Sequence, residues 1–265
     1  MTTNLHDAVR TNFAEKAAYV AHRIPTMSVT EADTFVAIDC GLPSDTLNVI
    51  VARTLLATDH VLQDGVGHFM AKQFPMALWY WETAGDRHGM GALTAYGLAH
   101  TETHIAMYAD RTHVRAQVPL PAGLAIRAAT QPDEIRSYGA VIAALFGDSD
   151  EGRQVAAYHT LLSEQAAHHI PALRLYIGTY DDRVVAIGSF FIGSETVGIY
   201  DIVTRDDYRH KGIGTAMFAH VLTEARHVER HYAVLQASPD GLRVYEKAGF
   251  TAVGTVHTFE NRRLL

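Results

Sequence analysis

The sequence predicts an α/β fold in which a mixed central sheet is flanked by helices. Apolar runs rich in Val, Ile and Tyr alternate with stretches whose apolar residues recur every three or four positions. A strand predicted over 197–204 runs through two glycines into a helical pattern that starts at Thr215. Residues 173–179 and 184–191 flank a short turn and predict a β-hairpin. Strands and helices are therefore interleaved along the chain.

The first half of the chain carries its own series of elements. Residues 4–24 predict a helix that ends before Pro25, and residues 54–74 predict an interrupted helix. Trp79 and Trp81 are either a platform for a ligand or part of the core. Strands are predicted over 34–38, 47–51, 76–81 and 103–108.

The second half repeats this alternation in a definite order. We expect a strand over 124–128, helices over 132–146 and 151–168, the hairpin, the strand 197–204, a glycine loop, a helix, a strand, a helix and a last strand. Thr130 is predicted to cap the helix over 132–146. Proline and glycine cluster just before this series. We therefore predict a first domain over 1–118, a linker over 119–123 and a second domain over 124–265.

Length and charge narrow the classes of function. The 265 residues suit two domains, and an apolar content of 48% is enough for packed cores. The chain has 22 Lys and Arg against 29 Asp and Glu, a formal charge of −7. A broad nucleic-acid surface needs clustered basic residues. We therefore expect no nucleic-acid partner, and any anion site must be local.

Cysteine content and hydropathy indicate the compartment. The single cysteine, Cys40, cannot form an internal disulfide and fits a reducing cytoplasm. Residues 1–7 lack the apolar core of a signal peptide, and the longest apolar run, 76–81, is too short to span a bilayer. We expect a cytoplasmic protein with no membrane partner.

The stretch between the strand 197–204 and the following helix is typical of a phosphate site. Two glycines let the backbone approach a ligand, and the first N–H groups of a helix point outward at the positive end of its dipole. A Walker loop and a dinucleotide fingerprint are both excluded by the glycine spacing. The candidate residues are Arg209, His210, Lys211, Gly212, Ile213, Gly214 and Thr215.

Two ordered motifs carry a resemblance to a known family. Arg209, Gly212 and Gly214 form the pattern Arg-x-x-Gly-x-Gly, and residues 245–250 read Tyr-Glu-Lys-x-Gly-Phe. The second half therefore resembles the GNAT superfamily of N-acetyltransferases, which implies the acyl-CoA N-acyltransferase fold and acetyl-CoA as co-substrate. Residues 93–98 followed by 103–108 echo residues 245–250 followed by 253–259. The echo favours either a diverged tandem copy in the first half or a chance match.

The resemblance also implies how the donor binds. The loop from Arg209 to Thr215 would hold the pyrophosphate. Backbone groups of Ile202, Val203 and Thr204 would contact the pantetheine arm, with the Val203 N–H near the thioester carbonyl. Ser238 occupies a position where many relatives have Asn, and we expect it to cap the helix that carries Tyr245.

Tyr245 and Asp201 are the candidate catalytic residues. The phenol of Tyr245, with a reference pKa near 10, can protonate the departing thiolate; alternatively, Tyr245 only packs in the groove. Asp201 is the nearest acid to the position where many relatives have a basic Glu. Counting by twos places it on the face of Ile199 and Val203, so it is either the base or a structural acid.

The reaction we expect is direct transfer of acetyl from acetyl-CoA to an amine, with the first half walling the acceptor cleft. A non-catalytic acyl-CoA sensor or partner-binding module is the alternative. The acceptor is a small-molecule or peptide amine, and a homodimer is one open assembly. The adjacent His168 and His169 do not share a helical face, and no His-x-x-x-His pair occurs, so we expect no metal.

Overall fold

The computed structural model describes residues 4–83, 87–115, 118–165 and 170–265. Eleven strands within these ranges form one mixed sheet, in the order β1-β2-β3-β4-β11-β5-β10-β9-β8-β7-β6. The strands are β1 (Ser28–Glu31), β2 (Phe35–Asp39), β3 (Val49–Ala52), β4 (Ala77–Trp81), β5 (Ala99–Asp110), β6 (Leu124–Ala128), β7 (Leu173–Tyr180), β8 (Arg183–Ile192), β9 (Thr196–Thr204), β10 (Tyr232–Ala237) and β11 (Thr251–Glu260).

The helices cover both faces of this sheet. They are α1 (Leu5–Ala21), α2 (Thr58–His60), a π-helical turn (Val61–Val66), α3 (Gly67–Lys72), α4 (Arg87–Tyr96), α5 (Pro132–Ala143), α6 (Asp150–Glu164), α7 (Ile213–Ala225) and α8 (Leu242–Lys247). One apolar core joins α1, α5 and α6 to strands of both halves. On the other face, α7 and α8 pack on the second half, while the π-helical turn, α3 and α4 pack on the first.

The two halves of the chain exchange strands at the centre of the sheet. β11 lies between β4 and β5, and β5 lies between β11 and β10. The pairs β4–β11, β11–β5 and β5–β10 are antiparallel. The pairs β3–β4 and β9–β10 are parallel. The sheet therefore continues across the predicted linker 119–123, and each half contributes a strand to the other.

The predicted order of elements in the second half is confirmed. A strand that the sequence did not predict, β1, lies at the edge of the sheet and is short and largely exposed, so it lacks an apolar alternation. The predicted cap at Thr130 is wrong because α5 is capped by Gln131. The Glu134 carboxylate accepts the backbone N–H of Thr130 at 2.8 Å and of Gln131 at 3.0 Å.

The helix predicted over 151–168 corresponds to α6. It begins one residue earlier, at Asp150, because the Ser149 hydroxyl accepts the backbone N–H of Gly152 at 3.1 Å. His168 and His169 lie outside the described residues.

Candidate functional site

A gap opens in the sheet between β9 and β10. The two strands pair at only three positions, and the ladder ends where Val234 pairs with Gly198. Beyond that pair β9 continues to Thr204 and β10 to Ala237, with no pairing between them. Ile202, Val203 and Thr204, predicted to contact the donor, lie on this separated part of β9. A slot bounded by two strand edges can accept an extended ligand arm through backbone hydrogen bonds.

The loop at the end of β9 has the geometry of an anion site. Gly212 has φ of 77° and precedes the first residue of α7, Ile213. Its carbonyl accepts the N–H of Ala216 at 3.0 Å, which leaves the preceding N–H groups of the helix without a partner in the same helix. A Cβ added to Gly212 would meet only Pro121 Cγ, at 3.8 Å, so the approach is open. Positive φ and open space both explain a glycine at this position.

Gly214 has a different reason to be glycine. A Cβ there would lie 3.1 Å from the Thr204 hydroxyl, closer than most Cβ contacts. The lack of a side chain lets the first turn of α7 approach the end of β9. The loop backbone and the strand edge are thereby held side by side.

The cationic side chains of the loop are exposed and held by neighbouring acidic segments. The Arg209 guanidinium lies 2.9 Å from Asp206 Oδ1, and the Lys211 ammonium donates to the Asp207 carbonyl at 2.9 Å. His210 is exposed and has φ of 60°, which turns the chain towards Gly212. These residues place positive charge at the start of α7, where the helix dipole adds to it.

Tyr245 lies on α8, across the gap from β9. Its ring packs edge-on against Phe218, with centroids 4.9 Å apart, and burial raises the pKa of the phenol. Within the described ranges the hydroxyl has no hydrogen-bond partner. A phenol with a raised pKa stays protonated at neutral pH and can donate to a ligand atom.

The helix that carries Tyr245 starts later than predicted. Ser238 was expected to cap it, but α8 begins at Leu242 and its N-cap is Gly241. Ser238 instead closes a preceding turn, in which its carbonyl accepts the N–H groups of Gly241 and Leu242, each at 3.1 Å. Gly241 lies under the Tyr245 ring, where a Cβ would be 2.8 Å from Cε2. The turn thus lets the phenol lie close to the backbone.

Asp201 lies at a bulge in β9. It has φ of 55°, and the β8–β9 register shifts between the pairs Ile187↔Val203 and Ser189↔Tyr200. The prediction that Asp201 shares a face of the sheet with both Ile199 and Val203 is therefore wrong for Ile199. Ile199 packs on the α7 side of the sheet, whereas Asp201 lies with Val203 on the side of α1 and α5.

On that side Asp201 belongs to a polar network. Its Oδ2 accepts the hydroxyls of Tyr138 at 3.0 Å and Ser189 at 2.9 Å, and the Lys16 ammonium lies 3.6 Å from Oδ1. Burial alone would raise the pKa of Asp201, but the charge of Lys16 and the two hydrogen bonds outweigh burial and lower it. Asp201 is therefore ionised at neutral pH.

A cavity of about 520 Å³ joins these features and is lined by both halves of the chain. The second half contributes Asp201, Ile202, Val203, Ser238 and Tyr245 to its wall. Thr204 and the loop 209–215 lie beyond the wall, at the surface end of the gap. The structure therefore brings the candidate catalytic residues together in one cavity and places the candidate phosphate loop at the end of the same strand.

Residues 140–250 match the profile of the acetyltransferase (GNAT) family. This stretch is a GNAT acetyltransferase domain. No curated protein sequence matches the chain. Solved structures match over nearly the whole chain. A GCN5-related N-acetyltransferase from Kribbella flavida has a TM-score of 0.67 at 16% identity, covering 93% of this chain and 94% of that one.

Two other solved structures have similar architecture. A conserved protein of unknown function from Staphylococcus epidermidis has a TM-score of 0.63 at 14% identity, covering 87% of this chain and 92% of its own. A tandem GNAT protein from the clavulanic acid biosynthesis pathway has a TM-score of 0.56 at 14% identity, covering 96% and 94%. At these identities the similarity is one of fold.

The family match identifies the general class of reaction. The protein is an acyltransferase, and acetyl-CoA is the co-substrate of the GNAT family. The open glycine loop and the gap beside β9 fit such a donor, because the loop offers unpaired N–H groups and positive charge. The acyl-CoA N-acyltransferase fold predicted from the motifs is confirmed, and one of the solved structures that share this fold is a tandem GNAT protein.

Of the cavity residues in the first half, sequence reasoning named only Trp79 as a candidate. Lys16 on α1, Trp79 on β4, and Glu102 and His104 on β5 all line the cavity opposite the GNAT motifs. Trp79 is half-buried there, whereas Trp81 is fully buried, so the core reading is confirmed for Trp81 and a ligand platform at Trp79 stays a prediction. No local pattern signals this role, because it depends on the exchange of β5 between the halves.

The residues that the structure describes contain neither a metal-ion cluster nor a membrane-spanning helix. Among these residues no three His, Cys, Asp or Glu side chains are grouped so that they could hold a metal ion. Over the same residues, no helix combines the length and the apolar character required to cross a bilayer.

Proposed function

We propose that the protein transfers acetyl from acetyl-CoA directly to an amine. The observation that carries this proposal is the pairing of an open helix start at Gly212 with a protonated phenol, Tyr245, at opposite sides of one gap. The helix start binds an anion, and the phenol supplies a proton. Direct transfer needs both next to the slot that holds the donor.

The second half supplies the donor contacts in this proposal. The N–H groups and cations of residues 209–215 bind the pyrophosphate, and the free edge of β9 at Ile202, Val203 and Thr204 binds the pantetheine arm. The Val203 N–H, predicted to lie near the thioester carbonyl, points towards β8 instead, because Arg205 donates its N–H to the Val185 carbonyl and Val203 lies two residues earlier in the same register. Ser238 lies at the turn on the far side of the gap.

Tyr245 acts as the general acid. Its raised pKa keeps the phenol protonated until the sulfur leaves, when it donates its proton to that atom. Asp201 remains the candidate base of β9, but its lowered pKa makes it a weak proton acceptor at neutral pH. Its contacts with Tyr138, Ser189 and Lys16 favour the structural role.

The acceptor in this proposal is a small-molecule or peptide amine that enters the side of the cavity walled by the first half. The cavity is about 520 Å³, and both halves line it. We keep the division into domains 1–118 and 124–265 with a linker 119–123 as part of the proposal. A cytoplasmic location is supported by the single cysteine, Cys40, which is buried and free. A homodimer is a further expectation.

Gly212→Glu tests the donor site. A carboxylate at the helix start repels the pyrophosphate, and the positive φ strains the new side chain. We expect the Kd for coenzyme A to rise at least about 100-fold, equivalent to about 2.7 kcal/mol. Isothermal titration calorimetry measures this Kd.

Gly91→Glu is the matched control. Gly91 is exposed in α4, and an added Cβ would have no atom within 4 Å. The control introduces the same charge and should bind like the wild type. Unchanged binding in Gly212→Glu would remove the loop from the donor site.

A thiol-release assay separates catalysis from the alternative of a non-catalytic acyl-CoA-binding module. The assay uses acetyl-CoA with a panel of ethanolamine, spermidine, phenethylamine, lysine and a short peptide with a free N-terminus. We expect at least one amine to accelerate thiol release. Coenzyme A binding with no release from any amine would favour the sensor.

A further inference from the structure

His104 lies at the edge of the gap although it belongs to the first half of the chain. Ile105 of β5 pairs with Ala237, the last residue of β10. Because the strands are antiparallel, His104, the residue before Ile105, lies alongside Ser238, the residue after Ala237. On its other side His104 pairs with Val256 of β11. Strand exchange therefore places this imidazole beside the turn that precedes Tyr245.

The ring of His104 is held in a fixed orientation. It stacks on Trp79 with centroids 5.1 Å apart and an interplanar angle of 14°, and its side chain is only 13% exposed. Nε2 is buried and lies 2.9 Å from Glu102 Oε2, within ion-pair distance, although the two atoms do not meet the geometry of a hydrogen bond. A carboxylate next to Nε2 favours the tautomer with the proton there, which we assign from this contact. Nδ1 is then the nitrogen that can accept a proton.

A second polar group on the same wall lacks a protein partner. Gln236 pairs with Ala106 across β10 and β5, so its side chain lies on the face of the sheet that carries His104. Its Nε2 is buried and makes no hydrogen bond to any residue in the described ranges. Both side chains line the cavity that contains Tyr245. A buried amide donor without an acceptor is what a site leaves for a polar ligand.

The other ionisable groups of the cavity are less suited to take a proton. Asp201 already accepts two hydroxyls, and Lys16 is a cation beside it. Burial lowers the pKa of His159, whose Nδ1 lies 2.8 Å from the Val155 carbonyl. Tyr245 is needed in its protonated form. Burial also raises the pKa values of the Cys40 thiol and of three phenols on the wall, which therefore stay protonated at neutral pH: Tyr138, Tyr158 and Tyr200. His104 with Glu102 is the remaining pair.

We propose that His104, oriented by Trp79 and Glu102, is the general base that deprotonates the acceptor amine. This inference rests on the proposed acetyl transfer. The acceptor's ammonium form first gives a proton to Nδ1 of His104. The C–N bond then forms as the neutral nitrogen attacks the thioester carbonyl carbon, and that nitrogen passes its remaining extra proton to water. The C–S bond breaks as Tyr245 protonates the leaving sulfur. His104 then loses its proton to water, and Tyr245 regains one from water.

The test is the pH dependence of kcat/KM for His104→Gln, measured with the fastest amine of the panel above. Without the base only the neutral amine reacts, and a free amine has a pKa near 10. We expect a loss of about 100-fold at pH 7 that shrinks steadily towards pH 10. The Kd for coenzyme A should stay within about twofold of the wild type.

His100→Gln is the matched control, since His100 is exposed four positions earlier on β5 and lies outside the cavity wall. It should leave kcat/KM unchanged. Glu102→Gln is the second variant, because Glu102 is 63% exposed and the isosteric change keeps its packing. We expect it to lower kcat/KM about 10-fold at neutral pH.

The outcomes separate this inference from the proposed function. Equal losses at all pH values, or none, in His104→Gln would overturn the role of base. If that variant does not fold, wild-type rates in Glu102→Gln would overturn it. A wild-type enzyme that binds coenzyme A but releases no thiol with any amine would instead overturn the acetyl transfer itself.

Discussion

The two halves share one helix-to-strand turn but use it differently. In the first half α4 ends at Gly97, with φ of 112°, and in the second α8 is followed by Gly249, with φ of 98°. In both, the residue after the glycine donates its N–H five residues back, to the carbonyl of Leu93 at 3.1 Å and of Tyr245 at 3.0 Å. Leu93 and Tyr245 therefore occupy equivalent positions.

What differs is the space next to that position. β3 pairs with β4 along all four of its residues, whereas β9 leaves β10 after three of its nine. Leu93 is fully buried in the core of the first half, while Tyr245 lines the cavity. The same turn thus carries a core residue, Leu93, where the sheet is closed, and the candidate catalytic residue Tyr245 where the sheet is open. Opening the sheet, rather than changing the turn, creates the site.

The first half still contributes to the site through its last strand. β5 lies against β10, and β11 lies against β4. The first half has no gap of its own, but the second half still needs β5, because β5 covers the edge of β10. The first half is thus closed and supports the second half, which contains the gap.

Leu93→Ala should give the largest effect on stability. Leu93 is 0% exposed, so truncation leaves a cavity and should lower the free energy of unfolding by about 3 kcal/mol. Because the halves share one sheet, we expect urea denaturation to show a single transition at lower urea. Two transitions, with only the first displaced, would mean that the halves are independent despite the exchange.

Tyr245→Phe should change catalysis and hardly change stability. Removing the hydroxyl leaves the Phe218 contact in place, so the fold and the Kd for coenzyme A should be kept. We expect kcat to fall about 100-fold, or about 2.7 kcal/mol. Tyr96→Phe, an exposed tyrosine at the end of α4, is the control. A wild-type kcat in Tyr245→Phe would reduce Tyr245 to a packing residue like Leu93.

Arg262→Met should weaken the connection between the halves. Arg262 pairs with Asp45 and lies 2.6 Å from Glu151 Oε2, and both acids are buried. Removing the cation leaves these carboxylates unpaired, although Arg262 itself is 48% exposed and partly screened. We expect a loss of about 2 kcal/mol by urea denaturation. Arg263→Met, at an exposed neighbouring position, should cost less than about 0.5 kcal/mol.

The sequence predicted what local patterns encode. The glycine loop, the order of elements in the second half and the position of Tyr245 each depend on residues within one short stretch, where turn and helix chemistry act directly. The cap of α5 and the start of α8 were misplaced because capping depends on side-chain contacts that a spacing pattern does not resolve.

Nonlocal features were not predicted. The bulge at Asp201 breaks the period-two count, and the count alone cannot show where an extra residue is inserted. The place of His104 in the cavity depends on which strand lies beside β10, and that pairing joins residues more than a hundred positions apart. The echo of residues 245–250 in residues 93–98 does not indicate that the two halves exchange strands within one sheet.

Asp39→Asn should give the smallest effect and one that depends on pH. Asp39 ends β2, whereas Ile192 ends β8, the corresponding strand in the second half. Burial opposes ionisation of Asp39, but hydrogen bonds from Lys72 at 2.5 Å, His68 and the Gly41 N–H outweigh it and lower its pKa. A lowered pKa means that the ionised form stabilises the fold above the unfolded-state pKa, near 3.9.

The stabilisation should disappear as the pH falls below about 4, because Asp39 then takes up a proton only at a cost in the folded state. Asp39→Asn should cost about 1 kcal/mol at pH 7 and progressively less at acidic pH, so its Tm curve should approach that of the wild type near pH 3. Asp33→Asn, an exposed acid before β2, is the control and should leave the curve unchanged. Parallel Tm curves for wild type and Asp39→Asn would show that this charge is not what distinguishes the end of β2 from the end of β8.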